Sequence, residues 1–259
     1  MQIALTIAGS DSGGGAGIQA DLKTFQRFGV FGTSVLTAVT AQNTLGVVAW
    51  EAVSRNLIAA QIDAVADDLR PAAVKTGMLA TVAVVQTVAG GIERHGLHPY
   101  TLDPVMVATS GDLLLERDAV DAVRTDLLPL ADLVTPNLDE VAVLLDEPVR
   151  HVEAMASAAE RLVTDGGAKA ALVKGGHLEG PEAIDVLFCD GRLYTFRHPK
   201  LATRNLHGTG DTLSSAITAQ LAQGRALADA VPVALDFVHH AIATAPNLGR
   251  GHGPLNHFA

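Results

Sequence analysis

The chain alternates short runs of Val, Ile, Leu and Ala with longer segments of helical periodicity from one end to the other. This alternation is typical of βαβ units, in which helices connect parallel strands and cover the sheet. It predicts an α/β fold with a mostly parallel central sheet. Strands are predicted at residues 2–8, 33–41, 72–76, 100–105, 132–135 and 170–174. Helices are predicted at residues 15–28, 55–69, 81–95, 117–127, 138–145, 152–165, 209–223 and 226–245.

Two segments interrupt the alternation. Residues 184–201 carry Asp190-Gly191 between two strand-like runs, a strong hairpin signal that predicts an antiparallel edge on the sheet. Residues 44–54 also look extended and predict a flap or a second edge hairpin. Residues 44–54 and 177–200 are therefore candidates for a lid. The chain has no low-complexity linker, charge block or internal repeat, so we expect one domain over residues 1–259.

The charge balance limits the partners of the chain. Its formal net charge of −10 argues against nucleic acid or an anionic membrane as the main partner. The sequence carries no signal-peptide pattern at its start and no apolar run of about 18 residues. The one cysteine, Cys189, fits a reducing compartment. We expect a cytoplasmic protein that binds small molecules, and a homodimer is an open expectation for its assembly.

The most informative motif is the glycine-rich turn at His207–Ser215, which runs directly into a predicted helix. Gly208, Thr209 and Gly210 place backbone N–H groups at the start of that helix, where phosphate oxygens bind well. Asp211 follows in the first turn and is a candidate proton acceptor for a substrate hydroxyl. The pattern therefore indicates phosphoryl transfer to a small molecule.

A second glycine cluster lies between the first strand and the first helix, from Gly9 to Asp21. Its spacing also fits a dinucleotide-binding turn, but that reading needs an acidic residue about 20 positions on, to hold a ribose. The next acidic residue after Asp21 is Glu51, which disfavours an oxidoreductase. We interpret the loop as a surface on which a flat substrate lies against bare backbone, with Asp21 and Gln42 supplying hydrogen bonds. The alternative is that Asp21 lies on an exposed helix face.

Polar residues follow several predicted strands, at the edge where open parallel sheets bind ligands. Asp103 is a candidate oxygen ligand for Mg²⁺ through water. Asn137 and Glu140 match a capping box, which explains Asn137 and leaves Glu140 open as a second acidic group near the metal. Lys174 is a candidate contact for nucleotide phosphate.

Lys75 and Met78 give a weaker signal, although they follow a strand in the same way. The alternative interpretation of Lys75 is an ordinary surface lysine. A methionine such as Met78 lies more often in the core than in the wall of a ligand-binding site. The sequence also contains no glycine-rich loop of the P-loop type, so phosphoryl transfer would need another scaffold.

Taken together, these motifs resemble those of hydroxymethylpyrimidine/phosphomethylpyrimidine kinases, which belong to the ribokinase-like superfamily. The motifs that carry the resemblance span the chain in a fixed order: Ala8-Gly9-Ser10-Asp11 to Ala20-Asp21, Ala41-Gln42-Asn43-Thr44, Lys75-Thr76-Gly77-Met78, Asp103-Pro104-Val105-Met106, Thr135-Pro136-Asn137-Leu138-Asp139-Glu140, Lys174-Gly175-Gly176-His177, His207-Gly208-Thr209-Gly210 and Gly249-Arg250-Gly251-His252-Gly253-Pro254.

The resemblance implies a ribokinase-like three-layer αβα fold. It also implies ATP- and Mg²⁺-dependent phosphorylation of 4-amino-5-hydroxymethyl-2-methylpyrimidine, then of its monophosphate to the diphosphate, in thiamine biosynthesis. The roles it implies fall on matching positions of this chain: pyrimidine binding on Gly9, Asp21, Gln42, Met78 and Val105, metal and phosphate binding on Asp103 and Glu140, and nucleotide-phosphate binding on Asn137, Lys174 and Gly208 to Gly210.

Asp211 is a departure from the family pattern, in which cysteine commonly follows the Gly-Thr-Gly turn. Aspartate at this position is the usual base of the wider superfamily, and it is ionised at pH 7 without tuning. Two other functions stay open at this point. One is a pyridoxal or pyridoxine kinase, which acts on another flat hydroxymethyl heteroaromatic, and the other is a non-catalytic module that senses the pyrimidine.

Overall fold

The computed structural model of the chain describes residues 1–106, 114–116, 118–176 and 178–259. Within these residues the strands are β1 (Ile3–Ser10), β2 (Phe31–Asn43), β3 (Gly46–Ala52), β4 (Ala73–Thr76), β5 (Tyr100–Leu102), β6 (Leu133–Val134), β7 (Ala170–Lys174), β8 (Glu182–Cys189) and β9 (Arg192–Pro199). The α-helices are α1 (Gly17–Arg27), α2 (Arg55–Asp68), α3 (Val82–His95), α4 (Ala119–Ala122), α5 (Leu138–Leu145), α6 (Val152–Thr164), α7 (Thr209–Ala222) and α8 (Leu227–Ala243).

The strands form one sheet in the order β3-β2-β1-β4-β5-β6-β7-β8-β9. Neighbours from β2 to β7 pair in parallel. At one edge β3 is antiparallel to β2, and at the other β8 and β9 form an antiparallel hairpin. The chain leaves β1 toward β2 on one side and returns to β4 on the other. The carboxyl ends of β1 and β4 therefore flank a topological switch point, where α/β sheets form a ligand crevice.

Helices cover both faces of the sheet and bury two main cores. On one face, Leu5 and Ile7 of β1 pack in a cluster with Ile62 of α2 and Ile92 of α3. On the other face, strand residues such as Leu172 pack in a cluster with residues of α7 and α8. Because alternate residues of a parallel strand point to opposite faces, both faces of these strands are apolar. The predicted α/β fold with a mostly parallel sheet and an antiparallel edge hairpin is confirmed.

The predicted elements differ from the observed ones mainly at their ends. The strand predicted at 100–105 stops at Leu102, because Pro104 cannot donate a ladder hydrogen bond and the N–H of Val105 donates back to the Asp103 carbonyl. The helix predicted at 117–127 is α4 followed by a π-helical turn, and residue 117 lies outside the described residues.

Residues 44–54 resolve into β3, which confirms the second edge hairpin. The first residue of the second lid candidate, His177, lies outside the described residues, and closure of either candidate stays a prediction. None of the helices in the described ranges is long and apolar enough to cross a bilayer.

Candidate active site

A cavity of about 820 Å³ opens along the carboxyl ends of the strands. It runs from the first glycine loop, beside the switch point, past the N-terminus of α7 to the apolar face of α8. Every residue predicted for the site lines this cavity, with the exception of Asp21. The lining residues among the predictions are Gly9, Gln42, Met78, Asp103, Val105, Asn137, Glu140, Lys174, Gly208, Thr209, Gly210 and Asp211.

The two glycine loops pack directly against each other at the centre of the cavity. Gly208 precedes α7 with a φ of +80°, a conformation that favours glycine. A Cβ at Gly208 would also collide with the carbonyl of Gly15 in the first loop. A Cβ at Gly210 would lie 3.3 Å from Lys174 Nζ. The bare backbone of the turn therefore lies close to a lysine at a helix N-terminus, a combination that suits phosphate oxygens.

Asp211 lies in the first turn of α7 with its side chain 16% exposed to the cavity. Its Oδ1 atom accepts a hydrogen bond from Lys75 Nζ at 3.3 Å. The residue therefore combines access to the cavity with a fixed orientation, which is what a general base needs.

Asp21 does not face the cavity, so its predicted contact with the substrate is wrong. Its side chain is fully buried beneath the site, where Oδ1 accepts from Lys75 Nζ at 2.9 Å and from Ser215 Oγ at 2.6 Å. Thr6 Oγ1 donates to Oδ2 at 2.6 Å. The interpretation of Asp21 as part of an exposed helix face is wrong as well, because the face of α1 that carries it packs against β1 and α7.

Lys75 is equally buried, so its interpretation as a surface lysine is wrong. Burial alone would lower the pKa of Lys75, but the carboxylates of Asp21 and Asp211 outweigh burial and hold the pKa above its ordinary value. Burial raises the pKa of Asp21 above its ordinary value, against the attraction of Lys75. A charged residue within the short apolar strand β4 was the signal in the sequence for this buried pair.

Asp103 and Lys174 form the charged group on the opposite side of the α7 N-terminus. Lys174 Nζ donates to Asp103 Oδ1 at 3.3 Å, and Ser214 Oγ of α7 donates to Asp103 Oδ2 at 3.0 Å. Burial alone would lower the pKa of Lys174, but Asp103 and Glu140 raise it above its ordinary value. Lys174 is thus a fixed cation at the edge of the cavity, suited to phosphate oxygens.

Glu140, in the first turn of α5, is the third member of the charged group that contains Asp103 and Lys174. The predicted capping box is present: Asn137 Oδ1 accepts from the N–H of Glu140 at 2.9 Å, and Glu140 Oε2 accepts from the N–H of Asn137 at 2.8 Å. Burial, together with repulsion from Asp103, raises the pKa of Glu140 to about 7 against the attraction of Lys174. Asp103 and Glu140 thus place two buried carboxylates at the cavity, and carboxylates supply the hard oxygen atoms that Mg²⁺ prefers.

The other end of the cavity forms a flat slot at the switch point. Its walls are Gly9 at the end of β1, Met78 after β4 and Val105 after β5. A Cβ at Gly9 would lie 3.0 Å from Met78 Sδ, so the strand backbone is bare where the methionine covers it. The amide of Gln42 lies beside this slot, with Nε2 3.5 Å from His207 Nε2. Apolar walls with one amide at the rim suit a flat heteroaromatic ring.

Asp11 and His207 form a buried pair to which the sequence analysis assigned no role. His207 Nε2 donates to Asp11 Oδ2 at 2.9 Å, while Gly13, Gly15 and Ala16 donate their N–H groups to the same carboxylate. These hydrogen bonds lower the pKa of Asp11 although burial opposes them. The pair ties the first glycine loop to the turn before α7, and Asp11 within that loop was its sequence signal.

Apolar residues at the far end of the cavity were also missed. Leu235, Val238 and Ile242 line it from α8, Pro199 lines it at the end of β9, and Leu201 lines it just after that strand. The spacing of the three α8 residues places them on one helix face. In the sequence, such spacing is typical of an ordinary core-facing helix. The result is an apolar compartment beyond Lys174.

Comparisons with known proteins identify relatives of the chain over nearly its full length. A family model described as phosphomethylpyrimidine kinase matches residues 11–256. The hydroxymethylpyrimidine/phosphomethylpyrimidine kinase of Rhizobium meliloti strain 1021 is 53% identical to the chain. The alignment covers 99% of this chain and 97% of that protein.

Two solved structures resemble the chain over most of its length. The phosphomethylpyrimidine kinase of Clostridium difficile 630 superposes with a TM-score of 0.84 at 39% identity, covering 93% of this chain and 100% of that one. An ADP complex of Bacillus subtilis pyridoxal kinase superposes with a TM-score of 0.92 at 36% identity, covering 99% of this chain and 97% of that one.

Proposed function

The chain belongs to the phosphomethylpyrimidine kinase family and is a small-molecule kinase, and we propose that it makes the pyrimidine diphosphate of thiamine biosynthesis. In this proposal it transfers the γ-phosphoryl group of ATP to the hydroxymethyl oxygen of 4-amino-5-hydroxymethyl-2-methylpyrimidine. It then phosphorylates the monophosphate to the diphosphate.

The observation that carries the proposal is the position of Asp211 between the two ends of one cavity. The flat slot beside Gly9 and Met78 lies toward one end, and Lys174 lies toward the apolar compartment at the other. A ring in the slot would direct its hydroxymethyl group toward the α7 N-terminus, and a nucleotide would direct its phosphates to the same place. This arrangement supports direct transfer between two bound substrates.

The residues of the chain divide the chemical tasks among them. Asp211 orients the substrate hydroxyl and accepts its proton. The first-turn N–H groups of α7 at Gly210 and Asp211 stabilise negative charge on the transferring group. Lys174 binds the β- and γ-phosphates. Asp103 and Glu140 would hold Mg²⁺, which neutralises polyphosphate charge when bound and keeps several of its waters.

A pyridoxal kinase is the second candidate function, because the chain superposes on the Bacillus subtilis pyridoxal kinase with a TM-score of 0.92. Both substrates are flat hydroxymethyl heteroaromatics. The 53% identity to a relative that phosphorylates pyrimidines, against 36% to that pyridoxal kinase, favours the pyrimidine.

The test is ADP release by the purified chain with ATP, Mg²⁺ and one acceptor at a time. We expect turnover with the pyrimidine and with its monophosphate, and kcat/KM for pyridoxal at least about tenfold below that for the pyrimidine, the effect of one lost polar contact. Equal or higher kcat/KM for pyridoxal would reverse the assignment. Turnover with none of the three acceptors would contradict both candidates.

We also propose a cytoplasmic location, supported by the single cysteine, Cys189, which is free and buried. A homodimer stays a prediction, which sedimentation of the purified chain would test. The net charge of −10 argues against nucleic acid and membranes as main partners, and this stays a prediction.

A further inference from the structure

Lys75 connects Asp211 to a second carboxylate that never meets the cavity. In the parallel pairing of β1 and β4, Thr6 lies directly opposite Lys75, so their side chains emerge side by side on the face covered by α1 and α7. Asp21 of α1 binds both side chains there. Lys75 Nζ then reaches Asp211 Oδ1 on α7 at 3.3 Å.

This triad carries two carboxylates for a single ammonium group. Lys75 and Asp21 are both 0% exposed, so water does not screen their charges. Lys75 Nζ lies closer to Asp21 than to Asp211, at 2.9 Å and 3.3 Å. Asp21, which also accepts from Thr6 and Ser215, therefore fixes the ammonium group in the position from which it reaches Asp211.

We propose that Lys75 is a positioning residue that orients the Asp211 carboxylate, and that Asp21 holds Lys75 in the place from which it does so. The inference rests on the proposed function, since it concerns the base of that reaction. Neither residue contacts the substrate in this account.

Other charged groups face Asp211 from the elements around it, and all of them stay in place in the variants below. Asp103 follows β5 and Lys174 ends β7 on the far side of the α7 N-terminus. His257 of the C-terminal segment lies near the same turn, where burial lowers its pKa to about 4 and keeps the ring neutral at pH 7. Differences between the variants therefore report Lys75 and Asp21.

The first variant is Asp21→Asn, which keeps the shape of the side chain and leaves Lys75 paired with Asp211. Because burial raises the pKa of Asp21, this residue carries little charge at the pH of the acidic limb of the kcat–pH profile. We expect the midpoint of that limb to match the wild type.

The second variant is Asp21→Asn with Lys75→Met, which replaces both buried charges and leaves no unpaired ion in the core. It differs from Asp21→Asn only at Lys75. We expect the acidic midpoint to move up by about one unit relative to the wild type, because the closest cation to Asp211 is gone. The matched control is Lys169→Met, which removes a surface lysine that is 68% exposed and pairs with Asp132. Its profile should match the wild type.

An acidic midpoint that moves up in the double variant and stays unmoved in Asp21→Asn supports the inference, because a merely structural role would lower kcat without moving the midpoint. A double variant whose midpoint matches the wild type, or a single variant whose midpoint moves up by as much as that of the double variant, would overturn it. Thermal melts verify that each variant is folded. An active wild type with an unmoved midpoint in the double variant contradicts only the role of Lys75, whereas a wild type that turns over no acceptor contradicts the proposed function and this inference with it.

Discussion

Asp211 has to serve two acceptors that differ in charge. The hydroxymethyl group of the pyrimidine is a neutral alcohol that must lose a proton as the new bond forms. The monophosphate offers an oxygen that is already ionised at pH 7, since the second pKa of a phosphate ester is about 6. A carboxylate held by Lys75 at 3.3 Å is therefore necessary for the first transfer and of little use in the second.

We predict that Asp211→Asn separates the two transfers. Phosphorylation of the pyrimidine should fall by about 10²–10⁴, the usual contribution of a general base. Phosphorylation of the monophosphate should fall by less than about tenfold, because its acceptor oxygen needs no base. Initial rates of ADP release with each acceptor give both values on one preparation. A parallel loss with both acceptors would mean that Asp211 acts as a structural part of the turn.

At the scale of single residues, the sequence predicted the members of the cavity better than the layer beneath it. Gly208, Asp211 and Lys174 lie next to recognisable turns and strand ends, so their positions followed from local pattern. Asp21 was misplaced because its partner Lys75 lies 54 positions away, and only the pairing of β1 with β4 and the packing of α1 bring them together. Local sequence contains no information on such a pairing beyond the unexpected charge within β4.

At the scale of elements, α7 depends on the C-terminal segment that packs beside it. The His207 N–H donates to the Gly253 carbonyl just before the helix, and the hydroxyl of Thr212 in its first turn is hydrogen-bonded to His257 Nε2 at 3.1 Å. His257 is 6% exposed. The C-terminal segment therefore supports the turn that carries Asp211. Its residue His257 is not among the residues that line the cavity.

This contact predicts a pH-dependent stability. Burial lowers the pKa of His257 to about 4, below its ordinary value of about 6.5, so the unfolded chain binds the proton more readily. The stabilising effect is complete above pH 6.5 and is lost as the pH falls toward 4, by at most about 3 kcal/mol. His257→Gln keeps an acceptor for Thr212 and cannot be protonated there.

Urea unfolding at pH 7, 5.5 and 4.5 compares the two proteins. The free energy of unfolding of the wild type should decrease more steeply with falling pH than that of His257→Gln. Other titrating groups are the same in both proteins, so they cancel in the difference. Equal pH slopes would mean that His257 is protonated without cost in the folded chain.

At the scale of the whole molecule, strand order determines the site. The switch point between β1 and β4 places the flat slot, and β5, β6 and β7 bring Asp103, the α5 N-terminus and Lys174 to the same edge in sequence order. The alternation of strands and helices predicted this edge. The apolar compartment of Leu235, Val238 and Ile242 was not predictable, because its residues look like any buried helix face until the cavity beside them is known. One domain over residues 1–259 stays a prediction.

The central claim is that Asp211 meets the hydroxymethyl group of the pyrimidine at the N-terminus of α7. The most direct measurement is a crystal structure of the chain with the pyrimidine, Mg²⁺ and a non-hydrolysable ATP analogue. We predict the ring in the slot, against the wall that Gly9 and Met78 form together, with its hydroxymethyl oxygen within about 3 Å of an Asp211 carboxylate oxygen and aligned with the γ-phosphate. A ring in that slot whose hydroxymethyl group points away from Asp211, with the γ-phosphate in place, would contradict the claim.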